Sequence, residues 1–331
     1  MSATTRVGTG LARPCSRRST VGFKDRSNHR VCFCGSNSWK SSGRESAVHE
    51  SGAEIRITIG STGDIAPFAA LGLGLKSAGH EVSLATFPAL ENFVREQGLE
   101  FRQISGDPDD ILRDLARGGV QPVSLLRLLG NSVEPLLEKN FAECLQACRD
   151  TEAVIYSQIA FFGQQVAQAL GVPAIGAGLQ PILSRTSHFP SAIMPVRPGL
   201  DGALSRPYNR MSHPAAEQLL WQPLRRSVNR ARENVLGLAP LPLGGPFRRY
   251  QEEGWPVLYG WSPSLLPKPP DWPANLTVTG HWYLDQSTGW EPPRGLVDFM
   301  ESGPPPVCVG FGGTMLPDPA KTTGIIVEAL K

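Results

Sequence analysis

From Glu54 to about Gly280, short runs of β-branched and apolar residues alternate with segments whose apolar residues recur at helical spacing. That alternation leaves few folds open. Ile55, Ile57 and Ile59 form a strand that ends in the loop Gly60-Ser61-Thr62-Gly63-Asp64. Phe68, Leu71, Leu75 and Ala78 then recur as one helical face up to Gly79. Val82, Leu84 and Ala85 read as a second strand, Leu90 to Gln97 as a second helix closed by Gly98, and Leu99, Phe101 and Ile104 as a third strand. A long helical region from about Val123 to Arg149 follows, then a strand at Ala153 to Tyr156, a helix from Phe161 to Leu170 and a strand at Ala174 to Leu179. A helix over Leu219 to Leu236, carrying Arg225, Arg226, Arg230 and Arg232, precedes late strands at Pro256 to Gly260 and Leu276 to Gly280. Strands alternating with helices pair in parallel through right-handed crossovers, so the expected fold is α/β, with a Rossmann-like doubly wound parallel sheet over residues 54–282.

Four stretches depart from this rhythm. Residues 1–53 are rich in Ser and Arg, poor in acids and without periodicity. Composition leaves two readings open there: a transit peptide, which would send the protein to a plastid, or a disordered extension or misassigned start. From Gln180 to about His213 the chain is rich in Pro, Ser and Arg, and a loop this long within a compact domain is usually functional or mobile. Pro292, Pro293, Pro304, Pro305 and Pro306 make 283–306 a linker. In 307–331, Val307, Val309 and Phe311 read as a strand, Gly312-Gly313-Thr314 as a turn and Pro319 to Lys331 as a helix, the first elements of a second, incomplete α/β domain.

The 331 residues carry a net charge of only +2, with no basic stripe interleaved with aromatics, which argues against a nucleic-acid partner. No run of about 18 apolar residues is present to span a bilayer, so the expected location is the cytoplasm or a membrane periphery. The six cysteines lack framework spacing, and neither Cys32 and Cys34 nor Cys144 and Cys148 have companion ligands, so no metal is expected. The loop Gly60-Ser-Thr-Gly63 lacks G-x-G-x-x-G spacing, and Thr86 stands where a dinucleotide site places an acid, so a dinucleotide cofactor is disfavoured. Asp64, at the carboxyl end of the first strand, sits on the rim where open α/β sheets bind ligands. It can serve as a general base there, or simply cap the helix that Pro67 helps to start; the two roles are compatible.

The stretch Ile59 to Phe68, followed by Ala78-Gly79-His80-Glu81-Val82 and Leu84-Ala85-Thr86, resembles the opening of the sterol and lipid glucosyltransferases. Leu170-Gly171-Val172-Pro173-Ala174 with Gly178 to Pro181, Leu220 to Arg225, and Pro306 to Gly312 agree with the same family in the same order. The resemblance implies an inverting, metal-independent enzyme of the two-Rossmann-domain GT-B type. Its first half would bind a sterol or lipid hydroxyl and its second a UDP-sugar, a co-substrate rather than a cofactor. It assigns the catalytic base to Asp64 and places Ser61, Thr62, Gly63, Gln180 and Pro181 on the acceptor side. Gly312, Gly313 and Thr314 stand near the donor phosphates, where the family's Gly-Phe-Gly-Ser is altered to Gly-Phe-Gly-Gly-Thr. The family's His- and Gly-rich donor motif has no counterpart in these residues, so weak donor binding is expected, and a non-catalytic lipid-binding half-enzyme or an incomplete gene product is the alternative. Because residues 1–52 show no periodicity, their deletion is expected to leave the thermal unfolding midpoint unchanged in calorimetry; a fall of several degrees would mean that they pack on the core.

Overall fold

The computed structural model describes residues 23–24, 30–31, 53–58, 65–107, 126–157, 160–182, 184–194, 204–247, 253–284, 291–311 and 318–330. The chain divides into two units, Met1–Val48 and His49–Lys331. In the first, the two-residue strands β1 (Phe23–Lys24) and β2 (Arg30–Val31) pair antiparallel.

The second unit is built on seven strands: β3 (Glu54–Thr58), β4 (Glu81–Thr86), β5 (Glu100–Gln103), β6 (Ala153–Ser157), β7 (Ala174–Gly178), β8 (Val257–Tyr259) and β9 (Leu276–Val278). Their order is β5-β4-β3-β6-β7-β8-β9 and every neighbouring pair is parallel, which is the doubly wound α/β arrangement expected. A parallel sheet is covered on both faces, and β6 accordingly reads as a continuous apolar run with all five residues buried. On β3, an interior strand, Arg56 is buried all the same. It donates to Ser83 on β4, pairs with Glu54 at 2.6 Å and approaches Glu100 at 3.8 Å, so the charge is compensated across the sheet.

Helix α1 (Ile65–Ser77) follows β3 and buries Ile65, Phe68, Ala69, Leu71 and Leu75, the stripe its spacing predicts. Helix α2 (Glu91–Glu96) links β4 to β5. The helical region expected from Val123 is segmented where it is described: a π-turn at Leu129–Val133, a 3-10 turn at Glu134–Leu136, then α3 (Leu137–Ala147). Pro135 explains the breaks, since it lacks an N–H and its ring crowds the preceding turn. Helix α4 (Phe162–Leu170) ends on Gly171 at φ +71°, a left-handed cap that only glycine adopts without strain.

Helix α5 (Ser205–Asn234) is the largest departure. It starts at Ser205 rather than Leu219 and runs through Pro214 and Pro223, so the irregular stretch after Gln180 stops well before His213. The two prolines and the buried polar residues Asn209, Ser212, His213 and Glu217 hide its apolar periodicity. The expected linker contains the exposed helix α6 (Arg294–Glu301), and residues 307–311 are exposed and form no strand. Helix α7 (Pro319–Ala329) forms as expected, its first turn capped by Asp318, which accepts from the Lys321 N–H at 2.9 Å.

The main core gathers Phe141, Cys144, Val154, Val166, Trp221 and Val228 between α3, α4, α5 and β6. Phe141 is fully buried and touches the Phe162 ring at 6.2 Å between centroids. Phe141→Ala is expected to cost about 3–5 kcal/mol in denaturant unfolding; a cost below about 1 kcal/mol would mean that this layer is not the core.

Candidate functional site

Because all seven strands run parallel, their carboxyl ends share one edge, the edge where open α/β sheets bind ligands. Gly60, Ser61, Thr62, Gly63 and Asp64 lie outside the described residues, as do Gly312, Gly313 and Thr314. What brackets the first loop is described: β3 ends at Thr58 on this edge, and α1 opens at buried Ile65, the residue after Asp64. Of the other predicted residues, Gln180 is exposed and Pro181 half-buried just beyond β7, in a turn closed by the Ile182 N–H to the Gln180 carbonyl at 2.9 Å.

Trp282, four residues past the end of β9, was not foreseen at this edge. Its ring meets Phe68 of α1 edge-to-face at 5.5 Å, and its Nε1–H donates to Thr279 Oγ1 at 2.9 Å. It lies so close over Gly260, after β8, that a Cβ there would sit 2.8 Å from the ring. The segment after the last strand is thereby packed against the first turn of α1.

Beyond Pro181 the chain is tied down rather than loose. Ser184 hydrogen-bonds the Tyr259 hydroxyl, and Arg185 forms a two-pronged pair with Glu217 of α5, one bond of which is 2.8 Å. Asp271 accepts from Thr186 Oγ1 at 2.6 Å and from the Ser187 N–H and Oγ at 2.7 and 2.9 Å. The Ser191 N–H donates to Ser212 Oγ at 2.8 Å, and His213 Nε2 lies 3.1 Å from the Phe189 carbonyl. Beneath, the Tyr259 ring stacks on Trp272 at 5.1 Å and Phe189 meets Trp272 edge-on at 6.3 Å. Residues 184–191 are thus a fixed strap between α5 and the segment after β8.

Beyond this geometry, the chain resembles known proteins. Residues 55–188, from β3 to this strap, match the glycosyltransferase family 28 N-terminal domain. The chain is similar to that domain over this span. It is also 32% identical over 279 residues to a sterol 3-beta-glucosyltransferase of Neosartorya fischeri, covering 83% of this chain and 19% of that protein. A Cryptococcus neoformans sterol 3-beta-glucosyltransferase is 33% identical over 284 residues, covering 83% and 17%. The chain therefore spans under a fifth of the length of these curated relatives. Among solved structures, a kitacinnamycin glycosyltransferase is similar at 18% identity with a TM-score of 0.44, covering 74% of this chain and 56% of that one, too loose a likeness to carry an argument.

Among the described residues, the side chains with shifted acidity serve packing and positioning. Cys144 and Cys148 are buried with their sulfurs 4.0 Å apart, and that mutual contact together with burial pushes the Cys144 thiol up, away from the reactive thiolate. Burial also raises the Tyr156 hydroxyl. Glu217 is raised by burial against the pull of Arg185. Burial works against ionisation of Asp271 too, but the bonds from Thr186 and Ser187 prevail and hold its carboxyl below the usual range. No group of three or more potential metal ligands occurs among the described residues. Two cavities, of about 320 and 450 Å³, open beside α5 (Glu134, Glu138, Ser227, Arg230) and at the amino ends of β4 and β5 (Lys76, His80, Arg95, Glu100). Neither is lined by a predicted site residue.

The residues that hold the strap, Glu217, His213, Asp271 and Tyr259, lie far from it in sequence and carry no motif; an acid and a histidine inside a helix are the only local signal. Burial holds His213 below its ordinary value of ~6.5. A depressed histidine stabilises the fold above its unfolded pKa, and that contribution is lost as pH falls below ~6.5. Hydrogen exchange at residues 184–191 is therefore expected to accelerate between pH 7 and pH 5.5, and His213→Gln to flatten that dependence. Equal exchange at both pH values, once corrected for the intrinsic rate, would remove His213 from the strap's stability.

Proposed function

We propose that this chain forms the acceptor-binding side of a UDP-sugar-dependent sterol glucosyltransferase, with Asp64 as the base that accepts the acceptor's proton. The observation that carries this reading is the 32–33% identity to sterol 3-beta-glucosyltransferases over 83% of the chain, together with the match of residues 55–188 to the family 28 domain. The sheet geometry supports it. Helix α1 opens at Ile65 beside the carboxyl ends of the strands, the edge where open α/β sheets bind ligands, and Asp64 is the preceding residue in the sequence.

In the reaction proposed, the sterol oxygen attacks the anomeric carbon of the UDP-sugar. The new C–O bond forms as the bond to the diphosphate breaks, so the carbon inverts, UDP leaves with the electron pair and the hydroxyl proton passes to Asp64. A carboxylate of ordinary pKa ~3.9 is ionised at neutral pH but weakly basic, so it works only when held at hydrogen-bond distance in a partly desolvated site. The Trp282–Phe68 contact and the strap at 184–191 supply rigidity on either side of that edge. Gln180 and Pro181 lie on the acceptor side in this reading, and Gly312, Gly313 and Thr314 toward the donor phosphates. No metal or cofactor takes part.

The test joins this chain to the donor-binding half of a curated sterol 3-beta-glucosyltransferase and assays transfer from labelled UDP-glucose to a sterol in vesicles. Transfer is expected. Asp64→Asn is expected to lower it by about 10²–10⁴-fold while sterol binding and the melting temperature stay unchanged, because asparagine keeps an aspartate's capping ability but cannot take a proton. Near-normal turnover by Asp64→Asn would remove it from the chemistry; sterol binding without any transfer would point to a binding module instead.

A further inference from the structure

In the sheet order three strands, β6, β7 and β8, stand between β3 and β9, which puts those two roughly 19 Å apart at ordinary strand spacing. Yet four residues past the end of β9 the Trp282 ring meets Phe68, in the first turn of the helix that follows β3. The segment after β9 therefore doubles back along the carboxyl edge. Gly260, directly after β8, lies on its way. In the run His281-Trp282-Tyr283 the outer two side chains are exposed and meet each other, ring centroids 5.2 Å apart, while Trp282 turns inward.

The indole is held at both ends. Its Nε1–H donates to Thr279 Oγ1 at 2.9 Å, and Thr279 in turn gives its N–H and its hydroxyl to the Tyr259 carbonyl, at 2.9 and 3.0 Å. The polar end of the ring is thus tied to the end of β8. The apolar side rests on Gly260, where a Cβ would stand 2.8, 2.9 and 3.0 Å from three ring atoms, and the Gly260 N–H is itself fixed to the Gly178 carbonyl at 2.9 Å. Gly260 is not among the glycines of positive φ, so the need for glycine there comes from the ring and not from the backbone. Phe68, 1% exposed, takes the indole edge-to-face from the side of α1.

We propose that Trp282 is a positioning residue for the transfer reaction, locking the first turn of α1, and through it Asp64, to the chain that leaves β9. This rests on the reading of Asp64 as the base. Asp64 is joined to Ile65 by one peptide bond, so a tilt of the first turn of α1 carries its carboxylate along. A weak base acts only at hydrogen-bond distance, and a misplacement of about 1 Å at the reacting groups can cost about 10²-fold in rate. An indole that served packing alone would sit inside one layer of the core. Trp282 is half-buried instead, and it joins the outgoing chain, the end of β8 and the start of α1.

The test has two arms. In the full chain, Gly260→Ala drives a Cβ into the ring and should lower the thermal unfolding midpoint, whereas the same change in a Trp282→Ala background should cost nothing more. Equal losses in both backgrounds would mean that the ring is not held at Gly260, and would overturn the proposal. In the fusion to a sterol 3-beta-glucosyltransferase donor half, Trp282→Ala should lower kcat by about 10²-fold with the KM for sterol unchanged. Gly260→Ala should reproduce that loss, and Trp282→Phe should recover most of it by returning a ring to Phe68. Added to Asp64→Asn, Trp282→Ala should do nothing further, because a residue that acts through Asp64 then has nothing left to position. Assays are run well below the unfolding midpoint of each variant. A normal kcat in Trp282→Ala, or a loss that multiplies in full with that of Asp64→Asn, overturns this inference and leaves the base assignment standing. Near-normal turnover by Asp64→Asn, or no transfer by the unaltered fusion, removes the underlying reading, and this inference falls with it.

Discussion

The parallel ladder of β3 with β4 on one side and β6 on the other is the constraint on which the rest of the second unit depends. Parallel strands need a crossover between each pair, so every strand of the sheet ends at the same edge and every connecting helix must cover a face. β3 is an interior strand, and it can carry a buried arginine only because Ser83, Glu54 and Glu100 from the same sheet answer it. β3 therefore ends inside the carboxyl edge of the sheet rather than at its margin, and Asp64 follows it in the sequence.

Two different kinds of packing flank this edge. On the β8 and β9 side, Trp282 fits over Gly260 and onto Phe68, a contact that needs a ring on one residue and no side chain on another. On the α5 side the contacts are polar: a two-pronged Arg185–Glu217 pair, and Asp271 accepting from Thr186 and Ser187. Hydrogen bonds to charged groups contribute about 1.5–3 kcal/mol each, and leaving one partner unmet inside costs a comparable amount. Such a network forms as a whole or not at all, so residues 184–191 behave as part of the scaffold. An acceptor site built on this edge would have rigid walls on both sides and its chemistry on the short loop between them.

Much of this was legible in advance. The strands at 54–58, 81–86, 153–157 and 174–178 and the helices at 65–77 and 162–170 follow periodicities that local side-chain chemistry imposes. Where reading failed, a second signal masked the first. In α5, Pro214 and Pro223 look like breaks, but the packing of Trp221, Leu224 and Val228 and the bonds made by Asn209, Ser212 and Glu217 hold the helix through them. Pro135 had the opposite outcome, dividing a region that apolar spacing presents as one helix. The apolar alternation at Val307, Val309 and Phe311 looks like a strand, yet these residues are exposed and pair with nothing among the described residues. Alternation states a preference; a strand forms only beside another.

By itself the sequence determined the alternation of strands and helices, the run of glycines leading to Asp64, and the likeness of residues 55–188 to the family 28 domain, because each is written in neighbouring residues. The order of the strands was decided only in three dimensions, as were the reach of α5 back to Ser205, the strap tied to Glu217 and Asp271, and the meeting of Trp282 with Phe68. These depend on pairs separated by tens to hundreds of residues, and no local pattern records which acid a buried arginine will find or which glycine will lie beneath an indole. Burial makes those pairings obligatory, and only the folded chain decides what is buried together.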